Sequence, residues 1–206
     1  MTQNTNAGSP AGAAAAEARR AEMRRRFMAI ADRYMADLLR AARRLCGGNE
    51  DMAHDLVQET LLKGYAAFID GKFQEGGNMR AWLHRILTNH FINDYRRRTK
   101  WEAGVTVDTL TAGGEVGPTS TRAADGDVPD TSLLARTFDE PLEQALQSLS
   151  EALRTAVLLV DVEEYSYEEA ARAMAVPVGT IRSRVARARY QLQELLHAYG
   201  RERRLV

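Results

Sequence analysis

Apolar residues recur along most of the chain three or four positions apart and seldom alternate, which is the spacing of amphipathic helices. From Arg19 to Leu45 the stripe is Phe27, Ile30, Ala31, Tyr34, Leu38, Ala41 and Leu45, and Gly47 and Gly48 end it. Asn49 is placed to cap a second helix running to about Phe68, with Glu50 and Asp51 in the first turn, where the helix dipole favours acids. Its inward residues are Met52, Ala53, Leu56, Val57, Leu61 and Tyr65, with Thr60 beside them, and its other face shows Asp55, Gln58 and Glu59. A loop with three glycines follows over 69–77. Asn78 then caps a third helix to about Arg98, with Trp82, Leu83, Ile86, Leu87 and Tyr95 inward and Asn89, Asn93, Arg96 and Arg97 outward. Trp82 sits at helical spacing with its apolar neighbours, so it reads as packing and not as a platform for stacking bases. Pro141 opens a short helix through Leu149, and Ser150 caps another with Leu153, Val157, Leu158 and Val160 as core.

The stretch from Ser166 to Leu196 predicts a helix-turn-helix. Ser166 with Glu169 three residues on forms a capping box, and Tyr167, Ala170, Ala171 and Met174 share one face. Pro177 cannot continue that helix but suits the first turn of the next. In the second helix Ile181, Val185, Ala188 and Leu192 make the buried stripe. Arg182, Ser183, Ala186, Arg187 and Arg189 lie away from it. Arginine forks fit guanine edges in the major groove, while Thr180 and free amides suit phosphate. The bland alternative is a helix pair with solvated arginines.

Between these helical stretches, Glu102 to Phe138 is rich in Gly, Thr, Asp and Ala and lacks periodicity. It predicts a flexible linker between two helical domains. The expected organisation is a disordered 1–18, a helical domain over 19–100, a linker over 101–138, a helix-turn-helix domain over 139–200 and a frayed tail over 201–206.

Composition sharpens this picture. With 206 residues and 45% hydrophobic content the chain can bury a core, and the scarcity of strand signals makes the class all-α. Net charge is +0, so the basic patches are local, or another molecule supplies much of any DNA affinity. The lone Cys46 cannot close a disulfide within the chain, which fits a reducing cytoplasm. Beside the glycines it reads as a small buried hydrophobe. No apolar run is long enough to span a bilayer, and the Ala-rich start lacks the apolar core of a signal peptide. His54, His84, His90 and His197 show no metal-ligand spacing, and no phosphate loop follows a strand, so neither metal, cofactor nor enzymatic activity is expected.

Three motifs in order carry a family resemblance. Asp55-Leu-Val-Gln-Glu-Thr-Leu resembles the core-polymerase-binding helix of the extracytoplasmic-function sigma factors, the short two-domain branch of the sigma-70 family. Arg80-Ala-Trp-Leu-His-Arg-Ile, followed by Asn89 and Asn93-Asp-Tyr-Arg-Arg, resembles the part that handles the upstream edge of the melted promoter. Pro177-Val-Gly-Thr-Ile-Arg-Ser-Arg resembles the helix that reads the minus-thirty-five element. The likeness covers roughly Phe27 to Leu196. Two phrases, beginning at Lys72 and Ile86, look most like the thiol-stress subgroup, whose members are commonly held by zinc-binding anti-sigma proteins. The recognition helix departs from it, with Val185-Ala-Arg-Ala-Arg in place of Leu-His-Arg-Gly-Arg.

The resemblance implies that Asp55, Gln58 and Glu59 dock on core RNA polymerase. Phe73, Gln74 and Asn78, with Asn89, Asn93, Arg96 and Arg97, would handle the minus-ten element and hold a flipped base. Arg182, Ser183, Ala186 and Arg187 would face minus-thirty-five bases, with Thr180 and Arg184 on phosphates. The implied partners are core polymerase, promoter DNA and an anti-sigma factor wedged between the two domains. A free-standing helix-turn-helix regulator and a helical adaptor are the alternatives.

Overall fold

A computed structural model describes residues 10–74, 76–102 and 140–202. Among them are seven helices and no strand: α1 (Pro10–Leu45), α2 (Glu50–Ile69), α3 (Met79–Glu102), α4 (Glu140–Ser148), α5 (Glu151–Val157), α6 (Tyr167–Met174) and α7 (Val178–Glu202). The expected linker lies almost wholly outside the described residues.

α1 starts earlier than its apolar stripe. Disorder is expected up to residue 18, yet the helix begins at Pro10. Proline suits a first helical turn, and the alanine run after it has the highest helix propensity, so no buried stripe is required. From Phe27 onward α1 buries Phe27, Ala31, Leu38, Ala42 and Leu45 against α2 and α3. Asn49 caps α2 by accepting from the Met52 amide at 3.0 Å, and Asn78 caps α3 by accepting from Ala81 at 3.0 Å.

α3 continues to Glu102, past the expected end at Arg98. Its burial is also wider than a single stripe: Leu83, Leu87, Thr88, Phe91, Ile92 and Tyr95 are all buried. The cause is its position. α3 meets α1 and α2 on one side and α6 on another, so the two halves of the chain share one continuous core.

That junction is polar at its edges. Arg44 on α1 donates to Glu143 on α4 at 3.1 and 3.2 Å. Arg98 on α3 pairs with Glu151 on α5. Arg154 on α5 is buried, donating to the carbonyls of Leu149 at 3.0 Å and Leu45 at 3.4 Å. Burial lowers its pKa from the ordinary arginine value, so backbone carbonyls and the nearby Glu151 have to compensate the charge. Expected as separate units, the halves are packed together because such contacts bridge them.

After α5 the backbone widens by one residue per turn over Leu158–Val162, where the Glu163 amide donates to the Leu158 carbonyl at 3.0 Å. The turn directs Asp161 towards α7 and Glu163 towards α3. The helix-turn-helix then follows the expected chemistry. The Glu169 amide donates to Ser166 Oγ at 3.1 Å, and the Ser166 amide donates to Glu169 Oε2 at 2.9 Å. The bond from the Ser166 amide, then one donated by the Ser166 hydroxyl at 2.8 Å, hold the Glu169 carboxyl below its ordinary pKa. α6 ends on Ala175 in the left-handed conformation (φ 54, ψ 44), and Pro177 leads into α7.

Candidate nucleic-acid interface

α7 separates its two faces cleanly. Ile181, Val185 and Ala188 are at most 1% exposed, packed on α5 and α6, so the helix has one allowed rotation. That rotation presents Arg182, Ser183, Ala186 and Arg187 to solvent, with Thr180 half-buried near the helix start. Ser183 Oγ donates to the Thr180 carbonyl at 2.9 Å, which keeps the small side chain close to the helix and leaves room beside the two arginines. Arg189 is engaged elsewhere: its guanidinium grips Asp161 at 2.6 and 3.0 Å, and this pairing raises its pKa further. Arg184 is half-buried, and its Nη1 is buried with no hydrogen-bond partner among the described residues.

The acidic face of α2 is open. Asp55, Gln58 and Glu59 are all exposed, while Ala53, Leu56, Val57 and Thr60 fill the core. Leu62 belongs to the same surface and is 56% exposed. Its place follows from spacing: it stands three residues after Glu59 and seven after Asp55, on the same side of the helix. An apolar side chain beside carboxylates suits a protein partner better than solvent alone.

The residues expected at the minus-ten element divide into two groups. Phe73, Gln74 and Asn78 stand together on the loop between α2 and α3. The Phe73 ring lies 6.4 Å from Phe68 and 5.2 Å from Trp82, so an aromatic row fixes it. Trp82 is half-buried against the core, as its spacing predicts. On α3, Asn93 and Arg97 are exposed, with Arg97 paired to Asp94 at 3.0 Å. Asn89 and Arg96 do not join that face. The Tyr165 hydroxyl donates to Asn89 Oδ1 at 3.5 Å, and Arg96 donates to the carbonyls of Arg172 and Ala173 at the end of α6. Helical spacing places all four on one broad surface, but Tyr165, just before α6, engages Asn89 and the end of α6 engages Arg96, whose pKa burial lowers.

Against known families, residues 30–101 match the model for sigma-70 region 2, and residues 139–192 match that for sigma-70 region 4. The ECF RNA polymerase sigma factor EcfG of Rhodopseudomonas palustris is 38% identical over 186 residues, covering 85% of this chain and 91% of the relative. The chain belongs to the extracytoplasmic-function sigma factors. It is an RNA polymerase sigma factor, a class of transcription initiation factor. SigW of Bacillus subtilis is 30% identical over 172 residues, covering 82% of this chain and 88% of that one. Among solved structures, the sigma factor RpoE in complex with the anti-sigma factor NepR from Bartonella quintana shares 34% identity. It covers 82% of this chain and 96% of that chain, with a TM-score of 0.43.

Family membership displaces the free-standing regulator as a reading. The likeness to the thiol-stress subgroup goes no further than the two phrases that carry it. Burial pushes the Cys46 thiol up to about 11, so it stays protonated and is a poor nucleophile at neutral pH. Among the described residues no three His, Cys, Asp or Glu side chains converge to hold a metal ion. No described helix is long and apolar enough to cross a membrane.

Proposed function

We propose that this sigma factor recruits core polymerase through the α2 face of Asp55, Gln58, Glu59 and Leu62, and reads promoters with α7 and the α2–α3 loop. The reading of α7 rests on one observation. Ile181, Val185 and Ala188 lock the helix so that Arg182, Ser183, Ala186 and Arg187 point outward together. Arg182 and Arg187 would contact minus-thirty-five bases, with Thr180 and Arg184 on phosphates. Phe73, Gln74 and Asn78 would receive a minus-ten base, with Asn93 and Arg97 on the strand beside it. Asn89 and Arg96 would join only where α6 leaves α3. Two weak sites on one DNA raise each other's effective concentration, which suits a chain of net charge +0 that acts as a polymerase subunit.

The test of sequence reading is transcription by reconstituted holoenzyme across a promoter library. Arg187→Ala is expected to lose about 1–3 kcal/mol at one base position and to relax specificity there, while Arg184→Ala weakens all promoters alike. Identical profiles for the two variants would refute the division of roles. For the polymerase face, replacing Asp55 and Glu59 together by Arg is expected to weaken core binding at least tenfold, since like charges across an interface cost several kcal/mol. The helical circular dichroism should stay unchanged because both positions are exposed. Unaltered affinity for core would remove this face from the interface.

The chain would act in the cytoplasm, where its polymerase is. A sigma subunit competes for a shared enzyme, so we assign its control to an anti-sigma protein. A partner wedged between the halves, as the sequence reading has it, meets a filled junction here. Arg154, Arg96 and the Arg44–Glu143 and Arg98–Glu151 pairs occupy that space. The partner therefore covers the outer faces of α2 and α7, or displaces α6 from α3.

A further inference from the structure

The region 2 match begins at residue 30, but α1 begins at Pro10, so about five turns of helix precede the shared family segment. This extension is strongly basic. Arg19, Arg20, Arg24, Arg25 and Arg26 are exposed, against Glu17 and Glu22. Arg25 is paired with Glu22, whereas no carboxylate is hydrogen-bonded to Arg19, Arg20 or Arg26 among the described residues. These three arginines line one wall of an open groove of about 820 Å³. The opposite wall is the α2–α3 loop, including Phe73 and Gly76, and the floor is apolar, with Phe68 and Met79. Gly76 has φ +88, and nothing lies within 4 Å of where its Cβ would be, so the loop side of the groove is open to a ligand's backbone.

An apolar floor with an aromatic ring, walled by three cations, is complementary to a single nucleic-acid strand: a base face for the floor, phosphates for the wall. Duplex DNA offers the phosphates but keeps its bases stacked, so it would leave the floor empty. We propose that the α1 extension is a phosphate-binding arm for single-stranded promoter DNA, with Arg19, Arg20 and Arg26 holding the backbone of the strand whose base enters the Phe73 loop. This rests on the reading of that loop as the minus-ten site and adds to it a surface that precedes the family segment.

The test uses holoenzyme reconstituted from core polymerase and the full chain. Its probe is a fluorescent promoter fork whose minus-ten segment is single-stranded on one strand. Affinity is measured from low to moderate salt. Replacing Arg19, Arg20 and Arg26 together by Ala keeps helix propensity and is expected to weaken fork binding on the order of tenfold. The slope of log affinity against log salt should flatten by about 2, from three lost single-strand phosphate contacts. The corresponding triple Lys variant should retain the wild-type slope, and core affinity should not change in either variant. A fully duplex promoter fragment should lose little with the Ala variant. An unchanged salt slope on the fork would overturn the proposal. So would an equal loss on duplex. Phe73→Ala separates the two levels. If it weakens fork binding while the arginine variant does not, the loop reading stands and the arm fails. If neither matters, the loop reading itself is wrong.

Discussion

Replacing Asp37 by Asn should destabilise the protein by about 2–3 kcal/mol at neutral pH, less than the 3–5 kcal/mol typical of breaking a fully buried pair. Asp37 on α1 is the hub of a half-buried cluster. Its Oδ2 meets His84 Nε2 at 3.0 Å, and its Oδ1 accepts from Arg80 at 3.2 Å and from Arg40 at 3.1 Å. Its side chain is 15% exposed, while those of Arg80 and Arg40 are 32% and 39% exposed, and water around the guanidiniums softens the loss. The hydrogen bond with His84, then that with Arg80, holds the Asp37 carboxyl well below the usual carboxylate range despite burial. A depressed carboxylate pKa contributes stability that is complete above the unfolded value of about 3.9 and is lost as pH falls through the folded value. The wild-type protein should therefore lose stability in acid from roughly pH 5 downward, and Asp37→Asn should show a flatter profile. Glu163 works in the opposite direction. Burial raises its pKa, with His84 and Arg80 pulling it back, so its contribution favours the folded state at low pH and is lost as pH rises through the folded value. Urea unfolding at pH 7 and pH 3.5 checks both signs. A mutant midpoint equal to wild type at pH 7, or a parallel fall in acid, would show that Asp37 is not the hub.

The second large effect is expected at Gly47, between α1 and α2. Gly47 has φ +66, and a Cβ there would lie 2.5 Å from the Arg154 Cζ. A side chain at this φ costs about 1–2 kcal/mol by itself. The guanidinium is normally the far end of a flexible side chain and moves cheaply. This one is buried and hydrogen-bonded to two carbonyls, so displacing it adds about 1.5–3 kcal/mol. Gly47→Val should thus destabilise by about 2.5–5 kcal/mol and loosen the junction between the two halves. The Gly47→Val and Arg154→Ala double-mutant cycle isolates the contact. The combined loss should fall short of the sum of the singles by about 1.5–3 kcal/mol, the φ cost remaining. Strict additivity would mean that the glycine is required for its backbone conformation alone.

Most of the local architecture is legible in the sequence because the interactions that set it span three or four residues. Asn49 and Asn78 cap where they are expected, and Ser166 with Glu169 closes the capping box. Ile181, Val185 and Ala188 fix the rotation of α7, and with it the outward arginines. The α2 face is legible for the same reason, and Leu62 shares its spacing, three residues after Glu59 and seven after Asp55. The early start of α1 carries a Pro–Ala signal but no apolar stripe, since propensity alone marks this segment.

The tertiary structure decided which polar residues are free. Arg96 and Asn89 share a helical face with Asn93 and Arg97, yet the end of α6 and Tyr165 before it, more than seventy residues away in sequence, engage the first pair and leave the second open. Arg154 reads as one more helical cation until the Leu45 carbonyl, over a hundred residues earlier, accepts from it. Asp37 gains its role only when α3 brings Arg80 and His84 beside it. Caps and stripes are properties of one helix and repeat at its period. A contact between helices depends on how the whole set packs, and no spacing along the chain encodes it.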